Sequence, residues 1–421
     1  MQMNLISLFF FAIAFLVIIA SIRPNTDVFS PARIFTFVWA FIIGVTNLKL
    51  SWLQIEWNTL IWIQILIGPV AFLVGTFVVY ILNFNKKILT LSYMRENIQI
   101  YKFNYNKLFS INIILFILFI VSYFVIFIKT GAIPAFAAKP WEVRRDFTIF
   151  GLGLFLHNVF LIVLLSCIYI IFTDKNKFKK ILIGFLASIV VVMYSATLQR
   201  YQIILSIFII VFLLFYTTKK INIKTVLVTG VLLISFFYLI SSARLGELVL
   251  FILYRLSKMK FSPDYAIFTE PYMYISMNLE NFANAIHKIH NFSYGYYTFD
   301  FLTAITGIKH WIEEYFFLIE NPFLISINYN TYSAFWTYYR DFGVLGIYFI
   351  PFLGGVGLSS LYYSFKSAPT IKKLSFYGMF LYGVIFSFFN SVFGFLWFVY
   401  NIVVLLIIFH NIQEPLEIDK T

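Results

Sequence analysis

The chain has 421 residues, of which 61% are hydrophobic and 21% aromatic, and its formal net charge is +13. A soluble domain is only about 45–50% apolar, so the composition excludes an ordinary soluble protein and indicates a polytopic membrane protein. In such a protein, positive charge first reports the side of the membrane on which it lies. No nucleic-acid partner is therefore expected.

Long apolar runs predict the transmembrane helices, because about 20 apolar residues cross a bilayer and helices satisfy their own backbone groups in lipid. The first run lacks a basic start and a small-x-small cleavage site, so we expect a retained helix and not a signal peptide. The predicted fold is an all-α polytopic integral membrane protein with about 11 transmembrane helices. The runs are 4–21, 33–48, 59–82, 108–128, 151–172, 181–196, 201–216, 225–242, 343–363, 374–389 and 393–410.

Lysine-rich connections alternate with lysine-poor ones along the chain and predict the cytoplasmic side. The N-terminus is then outside and the C-terminus cytoplasmic. Residues 1–242 hold spans one to eight, with a short outer loop at 129–150. Residues 243–342 form one large, partly helical extracytoplasmic loop before the last three spans. Residues 343–421 hold spans nine to eleven and a short cytoplasmic tail.

Arginine is distributed differently from lysine, since six of the nine arginines fall on the predicted outer side. The guanidinium group recognises phosphate or carboxylate through paired hydrogen bonds and does not lose its proton. An anionic ligand on the outer face explains this distribution, and the alternative is interfacial pairing with lipid phosphates. The six are Arg144, Arg145, Arg200, Arg244, Arg255 and Arg340.

The large loop holds half of all acidic residues and three of the five histidines. Within it, Tyr274, Asn278 and Asn281 are spaced to lie on one stripe of a helix. Amide groups both donate and accept hydrogen bonds, so such a stripe suits a ligand with many hydroxyl groups, such as a sugar. An aromatic belt at the membrane interface is the alternative reading of the tyrosines.

The end of this loop carries the most specific pattern, Asn-Thr-Tyr at 330–332 followed by Tyr-x-Asp-Phe-Gly-x-x-Gly at 339–346. Together with the layout of spans, the arginine-ending loop at 129–150 and the large late loop, this pattern resembles the oligosaccharide repeat-unit polymerases, the Wzy-type O-antigen and capsule polymerases. The resemblance implies a bacterial cytoplasmic (inner) membrane protein. Its reaction would transfer a glycan from undecaprenyl pyrophosphate to a second lipid-linked repeat unit.

That reaction needs a stabilised leaving group, a proton acceptor and aligned sugars. For the pyrophosphate we assign Arg145, Arg200 and Arg244, with Arg144 and Arg340 in reserve. For the proton we assign Glu270, with Asp341 and His290 as alternatives. The remaining substrate-binding candidates are Arg255, Tyr274, Asn278, Asn281, Asn330 and Tyr332.

The sequence contains no Asp-x-Asp pair of the kind that holds a divalent metal in nucleotide-sugar transferases. We therefore expect no metal and no cofactor. The expected partners are the lipid-linked donor and acceptor, membrane lipid, a chain-length regulator and a flippase.

Three other functions stay open. An O-antigen ligase would use the same donor with a different acceptor. A lipid-linked oligosaccharide transporter would place ionisable groups at midplane, where the main polar residues are His157 and Asn158. A membrane acyltransferase would need a catalytic histidine on the cytoplasmic side, where only His410 lies at a span end.

Overall fold

The protein is described by a computed structural model that covers residues 4–23, 26–86, 88–98, 104–173, 176–218, 249–308, 311–312 and 323–412, with isolated positions between 221 and 235. Within this part of the chain the regular elements are helices, apart from one isolated antiparallel bridge between Ser51 and Met259. The predicted all-α class is confirmed there. The α-helices are α1 (Leu5–Ile22), α2 (Pro31–Thr46), α3 (Thr59–Leu82), α4 (Leu91–Asn97), α5 (Tyr105–Thr130), α6 (Pro140–Asp146), α7 (Leu152–Leu156), α8 (Asn158–Phe172), α9 (Lys177–Ala196), α10 (Tyr201–Thr217), α11 (Val249–Leu256), α12 (Thr269–Ile286), α13 (Asp300–Thr306), α14 (Ala334–Ser367), α15 (Ile371–Ile385) and α16 (Leu396–Ile412).

Ten of the eleven predicted apolar runs coincide with these helices, and the run at 225–242 lies mostly outside the described residues. Among the residues that the structure describes, six helical segments are long and apolar enough to cross a membrane: α1, α3, α5, the stretch from α7 to α8, α9 and α14. Helices α2, α10 and α16 are apolar but shorter. The membrane character is thus supported, and the count of eleven spans stays a prediction.

Polar residues at the ends of the apolar runs decide where the helices start. The Asn58 side chain accepts a hydrogen bond from the backbone N–H of Ile61 at 3.0 Å and so caps α3. Asn104 caps α5 in the same way through the N–H of Lys107 at 3.0 Å. Each cap satisfies a backbone donor that the first helical turn leaves without a partner.

By its contacts the chain divides into two compact units. Unit 1 consists of residues 1–93, 247–367 and 380–398, and unit 2 of residues 94–246, 368–379 and 399–421. Both units therefore combine segments from before and after the large predicted loop.

The core of unit 1 is the crossing of α3 with α14. A Cβ atom built on Gly75 would lie 2.2 Å from the carbonyl oxygen of Phe352, and one on Gly355 would lie 2.2 Å from that of Phe72. The two backbones approach so closely because neither glycine has a side chain, which is the common way for helices to pack in a membrane.

Helix α14 is interrupted at the point where span nine was predicted to begin. Gly343 has φ +62° and ψ −145°, outside the helical region, and such a backbone is open to glycine at little cost. A Cβ atom there would also lie 2.8 Å from the ring of Phe292. Residues 334–342 thus form a separate helical piece, and the pattern at 339–346 spans its end and the break.

Contacts between connections define the two ends of unit 1. At one end, the Tyr272 hydroxyl of α12 accepts a hydrogen bond from the backbone N–H of Leu50 at 2.9 Å. At the other end, Lys366 lies 3.5 Å from Asp27, and its carbonyl accepts from the N–H of Leu89 at 3.2 Å. The connection after α2 and helix α12 therefore lie at one end of unit 1, and the side of the membrane on which each connection lies stays a prediction.

Unit 2 is held together partly by buried polar side chains. Gln202 on α10 lies 3.2 Å from the imidazole Nδ1 of His157, and Tyr400 on α16 donates to the Asn158 side chain at 2.8 Å. The two polar residues of predicted span five thus make hydrogen-bonded helix–helix contacts. This finding removes the need for a transport pathway to explain them.

Candidate functional site

Helix α12 is fixed to the connection between α2 and α3 by a buried carboxylate. Glu280 is fully buried, and it accepts hydrogen bonds from the Lys49 ammonium and from the indole N–H of Trp57 at 3.2 Å. The Gln54 amide and the backbone N–H of Ile55 also donate to it, each at 3.1 Å. Burial raises the pKa of Glu280, and Lys49 with the other donors opposes that rise. A buried charge that is paired and fully hydrogen-bonded acts as a fixed anchor.

The amides predicted to form a sugar-binding stripe lie on α12 and hold a second segment of the large loop. The Asn281 side chain donates to the carbonyls of Tyr329 at 2.8 Å and Thr331 at 3.0 Å, and accepts from the N–H of Ile325 at 3.1 Å. Asn278 accepts a hydrogen bond from the Thr331 hydroxyl. Both amides are buried. These contacts position the 325–331 segment, and direct sugar contact by the two amides stays a prediction.

Asp341 organises a turn beside the break in α14. Its buried carboxylate accepts hydrogen bonds from the Ser293 hydroxyl and from the backbone N–H groups of Tyr297 at 3.3 Å and Thr298 at 2.6 Å. Both carboxylate oxygens are therefore taken up by hydrogen bonds. The geometry supports a positioning role, and the predicted catalytic role of Asp341 stays untested.

Arg340 and three aromatic rings form what we call the Arg340 site, composed of Arg340, Tyr297, Trp336 and Tyr332. Tyr332 stacks on Trp336 with centroids 4.0 Å apart, and Tyr297 meets Trp336 edge-on at 5.3 Å. The Arg340 guanidinium lies 6.0 Å from the Tyr297 ring centroid and donates to the carbonyl of Asn291. Its Nε is buried with no hydrogen-bond partner among the described residues. Tyr332 and Trp336 are buried, whereas Tyr297 and Arg340 are partly exposed, so the site presents one aromatic ring beside a charged side chain.

Glu270 lies in the first turn of α12, on the helix face that also carries Tyr274. It is buried, lies one helical turn before Tyr274, and is close enough to Tyr329 to raise the pKa of that phenol. Burial is the larger cause of the rise, which takes the pKa of Tyr329 to about 12. Tyr274 meets the Tyr329 ring edge-on at 6.3 Å. Glu270, Tyr274 and Tyr329 thus form one acid–phenol group in unit 1.

Three other predicted residues of unit 1 lie at the surface. His290 follows α12, Asn330 lies in the segment held by Asn281, and Arg255 lies on α11, and all three are exposed. Exposure leaves them accessible to a large ligand, and none of them is part of the buried contacts described above.

Of the arginines predicted to bind pyrophosphate, Arg144, Arg145 and Arg200 belong to unit 2 and Arg340 to unit 1, and Arg244 lies outside the described residues. Arg145 is exposed and its Nε lies 3.2 Å from Asp146, a surface pair of small energetic value. Arg144 interacts electrostatically with Tyr194, which lies near the tip of the α9–α10 hairpin, and Arg200 follows at the start of α10. Arg144 is thus a neighbour of Tyr194 near the hairpin tip, and the predicted common level of Arg144, Arg145 and Arg200 stays a prediction.

Sequence reasoning missed Lys49, Glu280 and Trp336, and it pointed to Tyr297 only as one of the many tyrosines between residues 243 and 342. One signal for Glu280 was available, because it follows Met273 by seven and Met277 by three residues and so falls on the buried stripe of α12. An acid on an apolar stripe needs a partner. Nothing in the local sequence identifies Lys49 as that partner.

Comparison with known proteins found no matching family model, no matching curated sequence and no matching solved structure.

Proposed function

We propose that the protein polymerises undecaprenyl-pyrophosphate-linked oligosaccharide repeat units into O-antigen, capsular polysaccharide or exopolysaccharide on the outer face of a bacterial cytoplasmic membrane. The Arg340 site is the observation that carries the proposal. Its partly exposed Tyr297 ring suits the apolar face of a sugar ring, and its guanidinium suits an anion. Trp336 and Arg340 lie near the start of α14, a helix of membrane-spanning length, and a lipid-linked sugar would present its head group at such a helix end.

In this reaction an acceptor hydroxyl attacks the anomeric carbon of the donor glycan. The bond from that carbon to the pyrophosphate oxygen breaks, the pyrophosphate leaves on its lipid, and the hydroxyl proton passes to a base. Glu270 is our candidate base, and the guanidinium of Arg340, in the same unit, stabilises the departing negative charge. Such preorganised donors typically contribute about 10²–10³ in rate each.

The lipid-linked donor and acceptor are both substrates, and no metal or cofactor is part of the proposed reaction. A flippase would supply the repeat units, and a chain-length regulator would act on the product.

The test is a gel of surface polysaccharide and of the lipid-linked pool from a strain that lacks the protein. We expect the ladder to disappear while single repeat units still reach the surface anchor. Polymer that accumulates on the lipid without attachment would instead indicate a ligase. Repeat units trapped on the inner leaflet would indicate a transporter.

A further inference from the structure

Unit 1 contains a cavity of about 550 Å³ beside the Arg340 site. Its walls are mainly apolar and come from residues 350–361 of α14, from α15 and from the rings of Phe35 and Phe72. This volume is within the usual range of ligand pockets, about 300–1,000 Å³. The cavity is therefore large enough for part of a lipid chain.

The cavity is long and reaches the lateral surface of the unit. Residues 350 and 361 of its wall are about 16 Å apart along α14 at 1.5 Å per residue. Leu353, which also lines it, is 61% exposed on a helix of membrane-spanning length. Gly357 leaves open space, since a Cβ atom there would meet nothing within 4 Å. A chain could thus pass in from the bilayer without displacing packed side chains.

One end of the cavity is polar. Thr298 and Ser391 both line it, and their segments lie together because a Cβ atom on Gly394 would lie 3.3 Å from the Thr298 carbonyl. The Thr298 hydroxyl oxygen is buried with no hydrogen-bond partner among the described residues. Its backbone N–H donates to Asp341, the neighbour of Arg340 in sequence. The polar end therefore adjoins the Arg340 site.

We propose that this cavity binds the isoprenoid chain of the lipid-linked substrate, with the chain along α14 and the phosphate end toward Thr298. The assignment rests on the proposed function, which supplies a substrate with a long apolar chain and a phosphate-linked head. The apolar body and the lateral opening of the cavity match the chain, and its hydroxyl-bearing end matches the phosphate-linked head.

The test uses the full-length protein in lipid nanodiscs with a photoreactive isoprenoid monophosphate, without sugar. Gly357→Leu and Gly354→Leu fill the cavity, and both are expected to fold because leucine favours a helix over glycine and both positions have room. Gly184→Leu on α9 is the matched control, since its nearest neighbour is at an ordinary 3.6 Å. Thermal unfolding of each variant checks that it is folded.

We expect the label on peptides spanning 350–361. Labelling should fall by about tenfold or more in the two filled variants, which corresponds to ~1.4 kcal/mol of binding free energy. In Gly184→Leu it should not change. Unlabelled isoprenoid monophosphate should compete and dodecyl phosphate should not. Labelling elsewhere, or equal competition by dodecyl phosphate, would overturn the assignment, the second outcome indicating a general lipid-chain site. If the strain that lacks the protein loses its polysaccharide ladder but the cavity is not labelled, the cavity assignment fails and the proposed function stands. If the cavity is labelled but that strain keeps its ladder, only the proposed function fails.

Discussion

At the scale of single residues, Arg340 supplies the positive charge of the Arg340 site. Its guanidinium is held by the Asn291 carbonyl at one nitrogen while its Nε has no partner among the described residues. We expect Arg340→Ala to lower the rate of polymer formation by about 10²-fold or more. Arg340→Lys should restore little, because a lysine ammonium lacks the planar fork of donors.

The measurement is polymer formed per amount of folded protein. Arg23→Ala is the control, since Arg23 is exposed and follows α1, away from the Arg340 site in the chain. Full activity of Arg340→Ala at normal protein level would remove Arg340 from the site.

The Lys49–Glu280 pair makes a second prediction at the scale of single residues. Glu280→Gln leaves the largely buried Lys49 without its counter-charge, and breaking a buried pair in this way costs about 3–5 kcal/mol. We expect the free energy of unfolding in detergent to fall by that amount. Adding Lys49→Met should recover part of the loss, because the two effects are coupled.

Lys288→Met replaces an exposed lysine just after α12 and should leave the free energy of unfolding nearly unchanged. Equal effects of Glu280→Gln and Lys288→Met would show that the buried pair contributes little.

At the scale of elements, the crossing of α3 and α14 depends on missing side chains. Gly355→Ala places a Cβ atom 2.2 Å from the Phe72 carbonyl, so the helices must separate. We expect a loss of about 1–3 kcal/mol, measured by denaturant unfolding. Gly357→Ala, two residues further on the same helix, meets nothing within 4 Å and should be neutral or slightly stabilising. The reverse ranking would contradict the close crossing.

Helix α12 also acts as an element that positions a loop. Asn281→Ala removes the hydrogen bonds that hold the backbone at Ile325, Tyr329 and Thr331. Leaving buried groups unpaired costs about 1–3 kcal/mol, so we expect amide exchange in the 325–331 segment to speed up by about tenfold or more. Exchange in α3 should not change, and Lys288→Ala should leave both regions as they are. Unchanged exchange at 325–331 would show that other contacts hold the segment.

At the scale of the molecule, the predicted topology can be read from two exposed positions of unit 1. In a Cys167→Ser background, Asn330→Cys should react with a membrane-impermeant maleimide in intact spheroplasts. Ser367→Cys should react only after permeabilisation, because Asn330 precedes and Ser367 ends the same helix of membrane-spanning length. If Ser367→Cys reacts in intact spheroplasts and Asn330→Cys does not, the orientation is the reverse of the predicted one.

Much of the architecture follows from the sequence because its causes are local. Hydropathy and helical periodicity depend on neighbouring residues, so ten of the eleven apolar runs appear as helices and Tyr274, Asn278 and Asn281 do lie on one helix. The sequence also places a glycine, Gly343, at the start of predicted span nine, but only the structure shows that its backbone has a positive φ and interrupts the helix.

Tertiary structure alone decides which residues meet. Lys49 and Glu280 are 231 positions apart, and the Asp341 carboxylate finds its donors more than 40 residues away. No periodicity selects such partners, because packing of α12, α14 and the intervening loops brings them together. The cavity of unit 1 has the same origin, since it is the space that α14, α15 and their neighbours leave between them. The sequence by itself determined a helical membrane protein with a polar loop near its end, and the folded chain determined which of its side chains form sites.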